Sequence, residues 1–230
     1  VKLSQVLFSQ GFGSRRECAA RILDGRVALG GRVCDDPDED VALEGLVVEV
    51  DGRPWPYHAK ALLMLNKPAG YECSLKPRHH PSVLSLMPLP LRNRGIQPVG
   101  RLDEDTTGLL LLTDDGSLIH RLTSPKHHVP KIYEVVCKHP VDSTQHAALM
   151  AGVVLDDDPA PVAAVAVEST GTHSLRLTLM QGRYHQVKRM MAAVGNRVEA
   201  LHRSGFGPLR VPDDLPVGQW RWLDAGMPWR

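Results

Sequence analysis

The chain has 230 residues, 43% of them hydrophobic and 23% charged, with a formal net charge of +1. Such a composition belongs to an ordinary globular protein, long enough for one large core or for a large domain with a small one attached. No apolar run reaches the roughly 18 residues of a membrane span. Cys18, Cys34, Cys73 and Cys137 are scattered without a CxxC pair, which argues against a disulfide scaffold or a zinc ribbon and for a reducing cytoplasm. The chain opens on Val1 with no signal peptide, so a trimmed N-terminus is expected.

Charge is unevenly spread. Residues 1–33 carry six Lys/Arg against two acids, residues 34–52 eight acids and no base, and residues 181–210 six bases against one acid. Separate basic segments suit anion-binding surfaces, with nucleic acid the commonest partner, although solvated helix faces explain such charge equally well.

In chain order, "SRRE" at 14–17 is a capping box that opens a helix running to Gly25. Cys18, Ile22 and Leu23 form its apolar side, and Arg15, Arg16 and Arg21 face outward. Gly30-Gly31 within "RVALGGRVC" signals a two-residue hairpin. "LVVEVDG" reads as a further strand and "GRPWPYHAK" as a linker. This divides the chain into a small domain, 1–58, and a larger one, 59–230.

The larger segment mixes strands with helices. "ALLMLNKP" is a strand halted by Pro68, "GLLLLT" a buried strand entering the turn "DDG", and "KIYEVVCKH" and "SLRLTLM" alternate as strands do. In "GRYHQVKRMMAAVG", Val187, Met190, Met191 and Val194 recur at helical spacing, and Gly195 ends the helix. On that wheel His185 and Arg189 lie opposite the stripe, with Gln186 and Lys188 on its flanks.

The stretch "PVGRLDEDTTGLLLLTDDG" sets Asp103, Glu104 and Asp105 at the mouth of the leucine run. A phosphatase DxDxT motif needs its apolar strand before the first Asp, and here the strand follows. A glycosidase pair needs a second carboxylate at a suitable distance, for which the sequence offers no clear candidate. His79-His80 and His127-His128 are adjacent pairs without Cys or carboxylate at ligand spacing, so neither a metal nor an organic cofactor is expected.

"GRLDEDTTGLLLLTDDG" resembles the central motif of pseudouridine synthases that modify ribosomal RNA. "LNKPAGY", "SPKHHVPKIYEV", "GRYHQVKRM" and "LHR" follow in that family's order. The N-terminal module resembles the S4 RNA-binding domain carried by the same branch. "SPKHH…KIY" and "GRYHQVKRMMAAVGNRVEALHR" are most similar to the small-subunit (RsuA) branch.

That resemblance implies an α+β fold, with a mixed, largely antiparallel catalytic sheet and a small α/β S4-like domain. It implies an isomerase that turns one uridine of 16S rRNA, position 516 in the usual rRNA numbering, into pseudouridine. Asp103 is then the nucleophile, attacking C1′ of the ribose or C6 of uracil. Lys188 is the cation that keeps it charged, and Tyr133 stacks on the extruded base. Lys188 departs from the arginine common at this position, which keeps the charge and gives up bidentate geometry. Arg101 holds the flipped nucleotide, or else pairs with Asp105. Asn66, Lys67, Gln186, Arg189, Arg15 and Arg16 are further RNA contacts. The expected partner is 16S rRNA, free or within a partly assembled small subunit, bound by a monomer away from membranes. A 23S rRNA synthase of the same family and an inactive RNA-binding assembly factor are the alternatives.

Overall fold

A computed structural model describes residues 1–156, 158–224 and 226–229. It divides into two compact units, one of Val1–Ala61 with Met87–Gln97 and the other of Leu62–Leu86 with Pro98 onward. Residues 87–97, which the sequence reading put in the larger domain, are therefore clustered with the N-terminal unit. Among the described residues no helix is long and apolar enough to cross a membrane.

The first unit contains α1 (Leu3–Ser9), α2 (Arg15–Leu23) and four strands, β1 (Val27–Leu29), β2 (Arg32–Val33), β3 (Val47–Val50) and β4 (Arg53–Pro56). The capping box forms as the sequence demands. Ser14 Oγ accepts from Glu17 N at 3.3 Å, and Glu17 Oε2 accepts from Ser14 N at 2.7 Å. Gly30 and Gly31 take φ of 55° and 81° between paired Leu29 and Arg32, the left-handed conformation a two-residue hairpin requires.

A second such hairpin turns at Asp51-Gly52, again with both φ positive, and returns β4 against β3. The "RPWP" stretch is thus a strand and not a linker. Its prolines are tolerated because β4 is an edge of the β2-β1-β3-β4 sheet, where a missing N–H breaks no ladder.

Leu3, Leu7, Cys18, Ile22, Val27 and Val48 build this unit's core. Leu23, expected to join it, is exposed. A further helix, α3 (Leu89–Asn93), belongs to the same unit. Leu91 is wholly buried, Asn93 Nδ2 donates to Gly11 O at 2.8 Å, and Arg94 Nη1 donates to Gln10 Oε1 at 2.8 Å.

The second unit is built on a mixed sheet. Its strands are β5 (Leu62–Lys67), β6 (Gln97–Pro98), β7 (Thr107–Thr113), β8 (Lys131–Cys137), β11 (Ala166–Gly171), β12 (Ser174–Leu179), β13 (Val198–Phe206), β14 (Leu209–Arg210) and β15 (Trp220–Trp222). The order is β11-β12-β8-β13-β7-β5-β15, with β6 beside β7 and β14 beside β13. Only β13 and β7 run parallel among the pairings of this path. Separately, β9 (Val153–Leu155) pairs antiparallel with β10 (Asp158–Val162). Helices α4 (Gly116–Thr123), α5 (Ser143–Ala151) and α6 (Gln186–Ala193) complete the unit.

β5 and the leucines of β7 are buried on both faces, which is why they read as unbroken apolar runs. Leu62, Met64, Leu109 and Leu111 pack with Leu118 and Leu122 of α4. That helix starts where Asp115 Oδ1 accepts from Ser117 N and Leu118 N, so the "DDG" signal is a helix cap.

Candidate active site

The turn that carries the three carboxylates is fixed from below. Lys67, at the end of β5, is wholly buried. Its ammonium lies 2.8–3.1 Å from the carbonyls of Pro68, Asp103, Glu104 and Thr106. Burial pushes this lysine below its ordinary pKa, with partial compensation from the Cys73 thiol and the acids above it. Gly70 N donates to Glu104 O at 2.8 Å, Thr106 N donates to Asp103 O at 3.1 Å, and Leu102 N donates to Cys73 Sγ at 3.4 Å. Backbone groups that would otherwise be orphaned are satisfied, so the loop holds one conformation.

The Asp103 carboxylate meets two cationic or titratable groups from the start of α6. Lys188 Nζ stands 3.1 Å from Oδ2, and His185 Nε2 stands 3.2 Å from Oδ1. Lys188 also donates to both oxygens of Asp105, at 2.7 and 2.9 Å. Burial alone would lower the Lys188 pKa, but hydrogen bonds to Asp105 and Asp103 outweigh it, and the net value is raised. It stays charged throughout the neutral range.

His185 precedes the helix rather than lying on it. It occupies the left-handed region at φ 46°, with its ring stacked on Tyr184 at 3.8 Å between centroids. The wheel that set His185 opposite the apolar stripe extended the helix one residue too far. A non-glycine residue held at positive φ is strained, and here the conformation delivers its ring to Asp103.

A cavity of about 120 Å³ opens above Asp103, walled by Arg101, Tyr133, Lys131, Gln186 and Arg203. Tyr133 is buried on β8. Lys131, two residues earlier and on the same face of the strand, was missed by the sequence reading. Its amine donates to Val129 O at 2.9 Å and sits over the Phe206 ring at 5.4 Å. Burial, with a smaller contribution from the Arg203 charge, pushes its pKa down to about 8. Arg203 is buried, with Nε donating to Leu109 O at 2.8 Å. Its Nη2 and the Thr106 hydroxyl have no partner among the described residues. Only chain topology, which sets β13 beside β7 and β8, brings Arg203 here.

The remaining sequence candidates divide. Arg101 is exposed at the cavity, has no hydrogen-bond or ion-pair partner among the described residues, and leaves Asp105 to Lys188. Asn66 and Lys67 are buried and have protein partners: Asn66 Nδ2 donates to Leu215 O at 2.9 Å, and Lys67 holds the turn that carries the three carboxylates. Both are corrections to the expected contacts, imposed by the double-sided burial of β5. Gln186 is buried rather than on a flank, and its Oε1 accepts from Arg183 N at 2.8 Å. Arg189 donates to Tyr184 O at 3.1 Å. Both brace the segment before α6.

In the first unit Arg15 and Arg16 are exposed, with Arg15 over the Phe8 ring at 5.3 Å. Arg21 is not free, since it pairs with Asp51 at 2.6 Å, as does Arg26. Lys2 pairs with Asp40, and Arg32 with Glu39. Much of the basic segment is therefore neutralised by the acidic one that follows it, leaving Arg15 and Arg16. Among the described residues no three His, Cys, Asp or Glu side chains group to hold a metal ion.

The sheet that bears the carboxylate-and-cation cavity and the small helix-and-strand unit before it in the chain each match a family model, and together these matches define an RNA-modifying enzyme with an S4 domain. The S4 domain model matches residues 1–48, and the model of RNA pseudouridylate synthases matches residues 61–193. The chain belongs to the RNA pseudouridylate synthase family and is an isomerase of that kind. It is similar to "Ribosomal small subunit pseudouridine synthase A" of Yersinia pestis, 40% identical over 93% of this chain and 91% of that protein. The Escherichia coli K12 protein of the same name is 39% identical over 93% of this chain and 92% of its own length. "Uncharacterized RNA pseudouridine synthase YtzG" of Bacillus subtilis is 38% identical over 97% and 95%. A solved structure, "Crystal structure of pseudouridylate synthase", superposes with a TM-score of 0.69 at 33% identity, covering 97% of this chain and 96% of the other.

Proposed function

We propose that this protein converts one uridine of small-subunit 16S rRNA, the one at position 516 in the usual numbering, into pseudouridine. The observation that carries the reading is the Asp103 carboxylate, held between Lys188 and His185 at the wall of a cavity that also contains Tyr133. The name of the Yersinia and Escherichia relatives supports the choice of the small subunit. The target leaves its stack to enter the cavity, at a cost of a few kcal/mol, which phosphate contacts offset.

Asp103 attacks C1′ or C6. In the first case the C1′–N1 bond breaks as the ester to C1′ forms; the base then rotates, C5 displaces the carboxylate from C1′, and the C5 proton is lost while N1 gains one, so that the product is an isomer of the substrate. In the second the carboxylate adds to C6 before the base migrates, and leaves afterwards. Either way Asp103 is regenerated and no redox step or group donor is required. Lys188 stabilises the carboxylate each time it is released, and Tyr133 supports the face of the base. Residues 1–58 act as the RNA clamp through Arg15 and Arg16, and the enzyme works as a single chain in the cytoplasm.

The test is to map pseudouridine in total rRNA from cells with and without the protein, complemented by wild type or by Asp103→Asn. Loss of one 16S site, restored by wild type and not by the variant, is expected, with RNA binding intact because the amide keeps the shape and removes the nucleophile. A lost site in 23S rRNA would refute the substrate, and an active Asp103→Asn would refute the mechanism.

A further inference from the structure

Beside the catalytic cavity runs a second concavity of about 640 Å³ that shares Arg101, Asp103 and His185 with it and is bounded on its far side by Arg78 and His79. Its volume lies within the range of small-molecule sites. The loop on the far side is fixed by one carboxylate. Glu72 accepts from the backbone N–H of Arg78, His79 and His80 at 2.9–3.1 Å. Those bonds hold its pKa below the usual carboxylate range. The loop is closed again where Ser82 Oγ donates to Ser74 O at 2.6 Å. A short run of basic residues is thereby presented on a shaped loop, with its nearest acid consumed by backbone.

On the same groove, next to His185, stands Tyr184, which is 68% exposed although it is a large aromatic ring. One face of that ring is stacked on His185, 3.8 Å away at an interplanar angle of 20°, and His185 Nε2 touches Asp103. A ring covered on one face and so largely exposed offers its other face to the groove. An open aromatic face beside cationic side chains is the arrangement that single-stranded nucleic acid uses for stacking and phosphate contact.

We propose that this groove is the subsite for a nucleotide flanking the target uridine, its base stacked on the open face of Tyr184 and its phosphate between Arg78 and Arg101. The inference rests on the RNA-modifying reading above and adds a second point of recognition to it. The Asp103–His185–Tyr184 line places the flanking base next to the reacting one, so the subsite sets register as well as affinity.

The experiment is steady-state kinetics of the full chain on a 16S rRNA fragment, intact or with an abasic nucleotide on one or the other side of the target uridine. On the intact fragment Tyr184→Ala is expected to raise KM about tenfold, the effect of losing one base–aromatic stack, with kcat unchanged, while Tyr184→Phe keeps the wild-type KM. An abasic residue on one side should raise the wild-type KM by a similar factor and add nothing to Tyr184→Ala. Wild-type KM in Tyr184→Ala, or full additivity of the two losses on both sides, overturns the subsite while leaving the synthase reading intact. A fall in kcat at unchanged KM also overturns it, because Tyr184 would then only be positioning His185. Absence of pseudouridine from the wild-type reaction would remove the synthase reading and the subsite together.

Discussion

A single ammonium at Lys188 faces two carboxylates, 3.1 Å from Asp103 and 2.7 Å from Asp105. Lys188→Met removes their shared counter-charge, and kcat is expected to fall on the order of 100-fold. Lys188→Arg, which keeps the charge, should stay substantially active. If KM rose and kcat held, Lys188 would be a phosphate ligand instead.

Lys131 supplies a pH-dependent prediction. Its folded pKa of about 8 lies below the ordinary lysine value of 10.5, so between those limits the unfolded chain binds more protons and stability rises with pH. Below pH 8 the cost of burying the ammonium is fully present. A nitrogen-detected titration of Lys131 Nζ is expected to show a midpoint near 8, and Lys131→Met should flatten the rise in stability above that pH. A midpoint near 10.5 would contradict this account.

The residues that touch Asp103 were only partly legible. Lys188 follows from the resemblance of "GRYHQVKRM" to the family motif, but His185 depends on a backbone turn to positive φ that no periodicity announces. Lys67 and Asn66 carry polar side chains on a strand buried on both faces, so a polar residue read as an RNA contact is a partner for protein carbonyls.

Between elements, β13 approaches β7 closely. A Cβ at Gly108, where φ is 101°, would stand 2.3 Å from Arg203 O and 2.8 Å from His202 Cε1. Only glycine permits the parallel pairing that sets Arg203 beside Leu109. Gly108→Ala is expected to cost about 2–5 kcal/mol, from backbone strain and overpacking together, measurable by urea unfolding. A variant as stable as wild type would show that the two strands separate at little cost.

Elements with local signals were readable for local reasons. The Ser14 capping box, the Gly30-Gly31 hairpin and the leucine run of β7 each need only a few neighbouring residues. β4 was hidden because two prolines argue against a strand unless it is known to lie on an edge, and edge position is a property of the whole sheet. The Asp51-Gly52 turn was there to be seen, and it would have announced that strand. The parallel contact of β13 with β7 joins segments 95 residues apart, as in His202↔Thr107, and no local pattern encodes it.

At the scale of the whole molecule, the first unit is not a contiguous piece of chain. Leu91, from the segment 87–97, is wholly buried within it. A protein starting at residue 62 would expose Leu91 and Met87, and burying a leucine contributes about 2 kcal/mol. Such a truncation is therefore expected to aggregate, and Met87→Ser with Leu91→Ser to restore its solubility. Once soluble, it should bind rRNA more weakly and with a shallower salt dependence, because Arg15 and Arg16 are gone. Unchanged kcat/KM would show that the first unit is no clamp, and a truncation soluble without the substitutions would show that α3 needs no cover.

The return of residues 87–97 to the first unit also sets an order of events during synthesis. A chain that grows from its N-terminus folds its first domain early when that domain is continuous. Here the first unit is complete only after residue 97 has been added, by which time β5 has already been made. That strand, with every residue buried in the finished protein, ends at Lys67 and finds β7 only from Thr107 and β15 only from Trp220. For that interval an apolar strand with two open edges follows a half-built domain, with Lys60 and Lys67 at its two ends acting as gatekeepers against association.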